Sequence, residues 1–165
     1  AIGFAGIGLD AHVAQLFDNN EKRGFSSYVK LTANALYKYS AKGFKVETNK
    51  EISEIRAIAM TFANINQYGN NAYINPTAID DDGLFEIVIV YPNSNWNYPE
   101  LAARLFLKNL HTSKFVSIMR TDYAKIQNLD RAQMQVDGEP FSEQMDIEVK
   151  SNPKSLKVLI PNYGL

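Results

Sequence analysis

Two Asp-Gly steps interrupt the strand-like runs of this chain and carry its clearest chemistry. Asp82-Gly83 closes the acidic run Asp80-Asp81-Asp82, and Asp137-Gly138 leads into Glu139 and Pro140. A Gly after Asp lets the backbone take positive φ, so each step reads first as a hairpin turn. A tight turn also fixes the direction of its carboxylates, and a fixed carboxylate can ligate a hard cation or accept a proton from a hydroxyl. Three adjacent Asp side chains repel one another unless water or a cation neutralises them. Taken singly, each turn is more simply a solvated hairpin loop. Together they pose a choice between a plain β scaffold and part of an active site.

A third segment, Phe4 to Ala11 (FAGIGLDA), is built from small apolar residues ending at Asp10. It lacks the Gly-x-Gly-x-x-Gly order of a dinucleotide fingerprint. Its glycines suit close approach by a ligand or a packed helix. His12 and His111 have no partner at metal-ligand spacing, and no Ser-His-Asp motif is present. Arg104, Lys108 and His111 share one stripe if the helix over them is continuous. That stripe suits a solvated face, or contact with phosphate or lipid headgroups.

The elements that must hold these groups follow from pattern. The 165 residues suffice for one domain with a real core. Hydrophobic residues make up 45% and charged residues 21%, as in ordinary globular proteins. A net charge of −1 gives no basic field for nucleic acid. Cysteine is absent, which excludes disulfides, thiolate catalysis and Cys-ligated zinc, and fits a cytoplasmic location. No apolar run reaches the roughly 18 residues of a spanning helix. The opening Ala1-Ile2-Gly3-Phe4 is already strand-like and has no initiating Met. It reads as a chain cut within a larger protein, with a processed terminus as the rival.

Strands are predicted at Ile2 to Leu9, Phe44 to Thr48, Ile55 to Phe62, Leu84 to Tyr91, Phe115 to Arg120, Lys125 to Leu129, Gln133 to Val136, Met145 to Val149 and Leu156 to Ile160. Helical spacing recurs over Val13 to Phe17, from Ser26 to a stop at Gly43, and over Glu100 to Leu110. About nine short strands joined by tight turns predict a mainly β fold. The expected architecture is a two-sheet antiparallel β-sandwich with two or three inserted helices, in a single domain over 1–165.

In order along the chain, three segments resemble the C-terminal domain of the diacylglycerol kinase-like lipid kinases. That superfamily spans bacterial diacylglycerol kinases, YegS-type lipid kinases, and sphingosine and ceramide kinases. The segments are FAGIGLDAHVA (Phe4 to Ala14), NPTAIDDDGLFEIVIV (Asn75 to Val90) and QVDGEPF (Gln135 to Phe141). The resemblance implies the C-terminal β-sandwich half of a two-domain enzyme that transfers the γ-phosphoryl group of ATP to a lipid hydroxyl, with Mg²⁺. Glu139 matches the family's general base and Asp137 the acidic residue beside it. Asp82 matches the carboxylate of a Mg²⁺ site, with Ile79 and Leu84 at its backbone-carbonyl positions. Asp10 matches a substrate-facing position at the inter-domain cleft.

Two departures matter. No Gly-Gly-Asp-Gly-Thr nucleotide motif occurs in these residues, so the ATP-binding N-terminal domain is expected to be missing and the fragment inactive alone. Gly69-Asn70-Asn71 stands where the family has a Gly-rich stretch. The expected partners are a lipid substrate and ATP through the missing domain, a peripheral membrane surface, and a second copy of the chain pairing over apolar surface that the missing domain would cover. The rival readings are a non-catalytic lipid- or protein-binding sandwich, and a stand-alone Mg²⁺ or Ca²⁺ module built on Asp80, Asp81 and Asp82.

Overall fold

The computed structural model describes residues 3–18, 25–69, 71–79, 81–141 and 145–157. Its centre is a six-stranded antiparallel sheet. In spatial order the strands are β11 (Glu139–Phe141), β10 (Met134–Val136), β1 (Phe4–Gly8), β4 (Ala59–Ala63), β7 (Phe85–Val90) and β8 (Val116–Thr121). A second, four-stranded sheet runs β12 (Asp146–Lys150), β9 (Tyr123–Asn128), β2 (Lys42–Thr48) and β3 (Ile52–Ala57). β5 (Gln67–Gly69) and β6 (Ala72–Tyr73) form a small separate hairpin.

Period-two alternation assembles the sandwich. In β12, Ile147 and Val149 turn toward the core while Asp146, Glu148 and Lys150 stay exposed. Phe44, Val46 and Ile126 from this sheet meet Ile7, Met60, Phe62, Ile87 and Ile89 from the larger one. The larger sheet is covered on its other face as well. Helix α3 (Tyr98–Phe106) lays Tyr98 and Leu101 over Ala63 and Val88. Helices α1 (Leu9–Asp18) and α2 (Phe25–Lys38) bring Val13 and Ala35 against Ile58 and Ala59. Burial on both faces explains why β4 and β7 read as nearly continuous apolar runs.

Several expectations need correction. The strand predicted at Ile55 to Phe62 is two strands in different sheets, β3 and β4, broken at Ile58. There the chain crosses the sandwich, and Ile58 ties the corner by donating its N–H to Val90 O and accepting from Leu9 N. The helix predicted at Glu100 to Leu110 begins earlier, at Tyr98, and ends at Phe106. Lys108 takes φ 58°, so the proposed Arg104–Lys108–His111 stripe is broken, and His111 lies in a separate 3-10 turn. β11 is the exit strand of the hairpin expected at Asp137-Gly138. Leu156 and Lys157 are not in a strand, and the rest of that predicted strand lies outside the described residues, as does Ile2.

Gly8 joins β1 directly to α1. It has φ 105°, and a Cβ there would lie 2.6 Å from the Ile58 carbonyl oxygen at the crossover. Gly8→Ala is expected to cost at least about 2 kcal/mol through positive-φ strain and the backbone clash. A urea midpoint unchanged from the parent would show that the corner is not tightly specified.

Candidate functional site

The registers place both acidic turns at one end of the six-stranded sheet. Arg120 pairs with Glu86, Glu86 with Ala63, and Ala63 with Phe4. Phe4 O then accepts the N–H of Asp137. The Asp82 loop enters β7 at this end, and the Asp137-Gly138 turn closes the β10–β11 hairpin there. Four adjacent strands, β7, β4, β1 and β10, set the two turns roughly 14 Å apart. They share an edge of the sheet without touching.

The Asp137 turn is held from two sides. Asp137 and Gly138 take φ 50° and 89°, the two positive values a two-residue hairpin loop requires. Asp137 Oδ1 accepts the backbone N–H groups of Gly3 at 2.9 Å and Phe4 at 3.0 Å, latching the turn onto the start of β1. Gln135 Oε1 accepts the Gly138 N–H at 2.8 Å. Glu139, next in sequence, is exposed and makes no side-chain hydrogen bond or ion pair among the described residues. The turn thus spends one carboxylate on position and leaves the other available to solvent or substrate.

Behind the turn lies a polar cluster on the helix-covered face. Gln135, Gly6 and Thr61 occupy one transverse row of the sheet. Asp10, in the first turn of α1, folds back over Gly6, where a Cβ would come within 1.8 Å of its Oδ2. Asp10 Oδ1 accepts the Ala11 N–H at 2.9 Å. Its Oδ2 receives longer contacts from Thr61 Oγ1 at 3.4 Å and Gln135 Nε2 at 3.5 Å. Thr61 also shares a 2.6 Å hydrogen bond with the Tyr68 hydroxyl. Burial raises the Asp10 pKa from 3.8 to about 6, against the opposing pull of Ala11, Gln135 and Thr61. Gln135 therefore connects the Asp10 carboxyl to the Gly138 amide, and so to the base of Glu139.

Asp82 is engaged differently. Its Oδ1 accepts the Leu84 N–H at 2.9 Å, and its Oδ2 is ion-paired with Arg120. Arg120 also reaches Glu86 Oε1 at 3.5 Å. Glu86 is almost wholly buried, and burial raises its pKa. Its Oε2 and the nearby Asn75 Nδ2 have no partner of good geometry, although the Asn75 amide lies close enough to oppose the shift. Ile79 is exposed, Leu84 is half-buried, and Asp80 lies outside the described residues. Among the described residues no three His, Asp or Glu side chains group as a metal site. In this arrangement Asp82 is held by the Leu84 amide and by the Arg120 guanidinium, which supplies the neighbouring positive charge.

The remaining candidates separate cleanly. His12 Nδ1 bonds Gln133 Oε1 at 2.6 Å and its ring lies against Tyr39, a structural role. His111 is exposed. Arg104 is paired with Glu100 at 2.8 Å and donates to Thr112. A groove of about 380 Å³ lies beside α3, lined by Asn97, Glu100, Arg104, Thr112, Ser113, Lys114 and Phe115. That groove lies beside α3, whereas the exposed Glu139 carboxylate lies at the end of the six-stranded sheet. Only the latter carries a catalytic argument. Sequence reasoning passed over Thr61, Gln135, Glu86 and Arg120. A usable signal existed for two of them: Thr61 in AMTFA and Glu86 in FEIVIV are lone polar residues inside apolar strands.

The raised Asp10 pKa has a sign that can be tested. Its contribution to stability is fully present below about pH 4 and is lost as pH rises through about 6, a change of up to about 3 kcal/mol. Asp10→Asn should therefore match the parent near pH 4 and exceed it above pH 7 in denaturant melts. Parallel stability curves for the two proteins would contradict the burial of this carboxyl.

Comparison with known proteins agrees with this architecture. Among curated proteins, none matches the chain. A crystal structure provisionally named a diacylglycerol kinase, from Bacillus anthracis str. Sterne, superposes with TM-score 0.64 at 13% identity, covering 94% of this chain and 54% of that one. A second structure from the same organism, named in the same way, gives TM-score 0.60 at 14% identity, with 92% and 50% coverage. The chain thus spans about half the length of these proteins, and at such identity the likeness shows the fold. The family model for the YegS C-terminal NAD kinase beta sandwich-like domain matches residues 3–160, nearly the whole chain, and the chain belongs to that family.

Proposed function

We propose that this chain is the substrate-side domain of an ATP-dependent lipid kinase that transfers the γ-phosphoryl group to a lipid hydroxyl of diacylglycerol-like or sphingosine-like type. The observation that carries the reading is the Asp137-Gly138-Glu139 turn, pinned by Asp137 to β1 and by Gln135 to Gly138, with the Glu139 carboxylate left exposed. Phosphoryl transfer asks little covalent chemistry of a protein and much positioning. In this reading Glu139 accepts the proton of the lipid hydroxyl as its oxygen bonds to the γ-phosphorus and the bond to the departing ADP breaks. Asp137 acts as the latch that aims Glu139. Asp10, half-buried behind the turn, offers a polar contact to the substrate.

The names of the Bacillus anthracis structures support kinase activity in the whole protein. ATP, and Mg²⁺ to neutralise its phosphate oxygens, would be held by a nucleotide-binding domain outside these residues. No step in this chain is assigned to a metal at Asp82. No helix among the described residues is long and apolar enough to cross a membrane.

In the full-length protein, Glu139→Gln is expected to lower lipid phosphorylation by roughly 100-fold or more with an unchanged thermal melt, as for loss of a general base. Asp137→Asn should lower activity less while loosening the turn, seen as faster amide exchange at Gly3 and Phe4. Full activity in Glu139→Gln would remove the proposed base. Absence of transfer to any lipid by the parent protein would favour a binding module.

A further inference from the structure

A second surface, remote in purpose from the acidic turns, lies on α3. Tyr98 and Leu101 face the sheet, with Leu105 partly buried beside them. At 100° per residue the opposite arc of this helix carries Pro99, Glu100 and Ala103, with Phe106 at its margin; Trp96 lies in the 3-10 turn before the helix and Leu107 just after it. An outward helix arc is normally polar. Here Trp96 is 90% exposed, Leu107 68% and Phe106 44%. Large exposed apolar groups in a row mark an interaction surface more often than chance.

Charge identifies what the surface meets. The whole chain carries a net charge of −1, yet residues 96–115 contain Arg104, Lys108 and Lys114 against a single carboxylate, Glu100. Glu100 is paired with Arg104, and Lys108 and Lys114 have no carboxylate partner among the described residues. Each of these ammonium groups lies near an aromatic ring: Lys108 is 4.2 Å from the Tyr73 centroid and Lys114 is 5.1 Å from that of Phe115. Exposed apolar groups that include Trp, accompanied by lysines, suit the boundary between anionic headgroups and acyl chains. We infer that the outward face of α3 docks the protein on an anionic phospholipid bilayer, with Trp96 and Leu107 entering the interface and Lys108 and Lys114 meeting headgroup phosphates. The inference agrees with a lipid-kinase reading but does not depend on it.

Trp96 is the only tryptophan among these 165 residues, so the difference in emission between the parent and Trp96→Phe reports on this face. Vesicles of phosphatidylglycerol and phosphatidylcholine in equal parts should shift the Trp96 emission to the blue and co-sediment the protein. Pure phosphatidylcholine vesicles should do so far less, and high salt should reverse the effect. Lys108→Glu with Lys114→Glu should lower partitioning about tenfold or more. Leu107→Ser should lower it without changing the salt dependence, and thermal melts of all variants would establish that they fold. Glu139→Gln should bind vesicles as the parent does, so a failed catalytic assignment and a failed docking surface give different results. No emission shift with anionic vesicles, or unchanged partitioning in both α3 variants, would overturn the inference. So would a blue shift that grows with protein concentration in the absence of lipid, because a second copy would then be the occupant.

Discussion

A carboxylate stands where a methyl group would otherwise be. Asp10 fills the space above Gly6, so close that any Cβ there would collide with it. The acidic end of the sheet depends on that exchange. Because Asp10 occupies this place, Gln135 has an acceptor for its Nε2 and turns its Oε1 toward the Gly138 amide. With that amide held, the hairpin loop keeps its two positive-φ residues and Glu139 keeps its direction. The arrangement costs stability at neutral pH, since a buried carboxyl resists ionisation, and proteins commonly hold strained or costly groups of this kind at functional positions.

The six-stranded sheet makes such a cluster feasible. One face belongs to the sandwich core and the other to three helices, so a polar side chain in a central strand cannot simply turn to water. Each must find a partner or bear the cost of having none. Thr61 finds Asp10 and Tyr68, and Gln135 finds Asp10 and Gly138. Glu86 finds Arg120 with one oxygen only. The same covering layer produces the α3 surface. Its inner stripe is consumed by the sheet, while Phe106 and Leu107 at its end stay exposed.

Much of the fold was legible in residue order. Alternation in Asp146 to Lys150 and the apolar run of Phe85 to Val90 gave strands where strands are found, and Asp137-Gly138 gave a hairpin. The failures have local causes. From Ala57 to Met60 the residues are all apolar, so nothing in the local pattern marks Ile58 as the residue where the chain changes sheets. That break is set by the hydrogen bonds of Ile58 to Leu9 and Val90, both far away in sequence. The early end of α3 depends on Lys108 adopting positive φ, which its residue type does not announce.

The candidate site divides along the same line. Residue types and spacing alone determined a mainly β sandwich, two acidic turns, and a chain without thiol chemistry or a basic field. These are properties of local backbone preference and composition, which act over a few residues. Only the tertiary structure decided that Asp137 is a latch and Glu139 the accessible carboxylate, that Asp82 belongs to Arg120, and that Asp10 folds back, half-buried, over Gly6. Each of those outcomes rests on neighbours supplied by strand register across more than 30 residues of sequence, and a carboxylate's chemistry is set by what surrounds it.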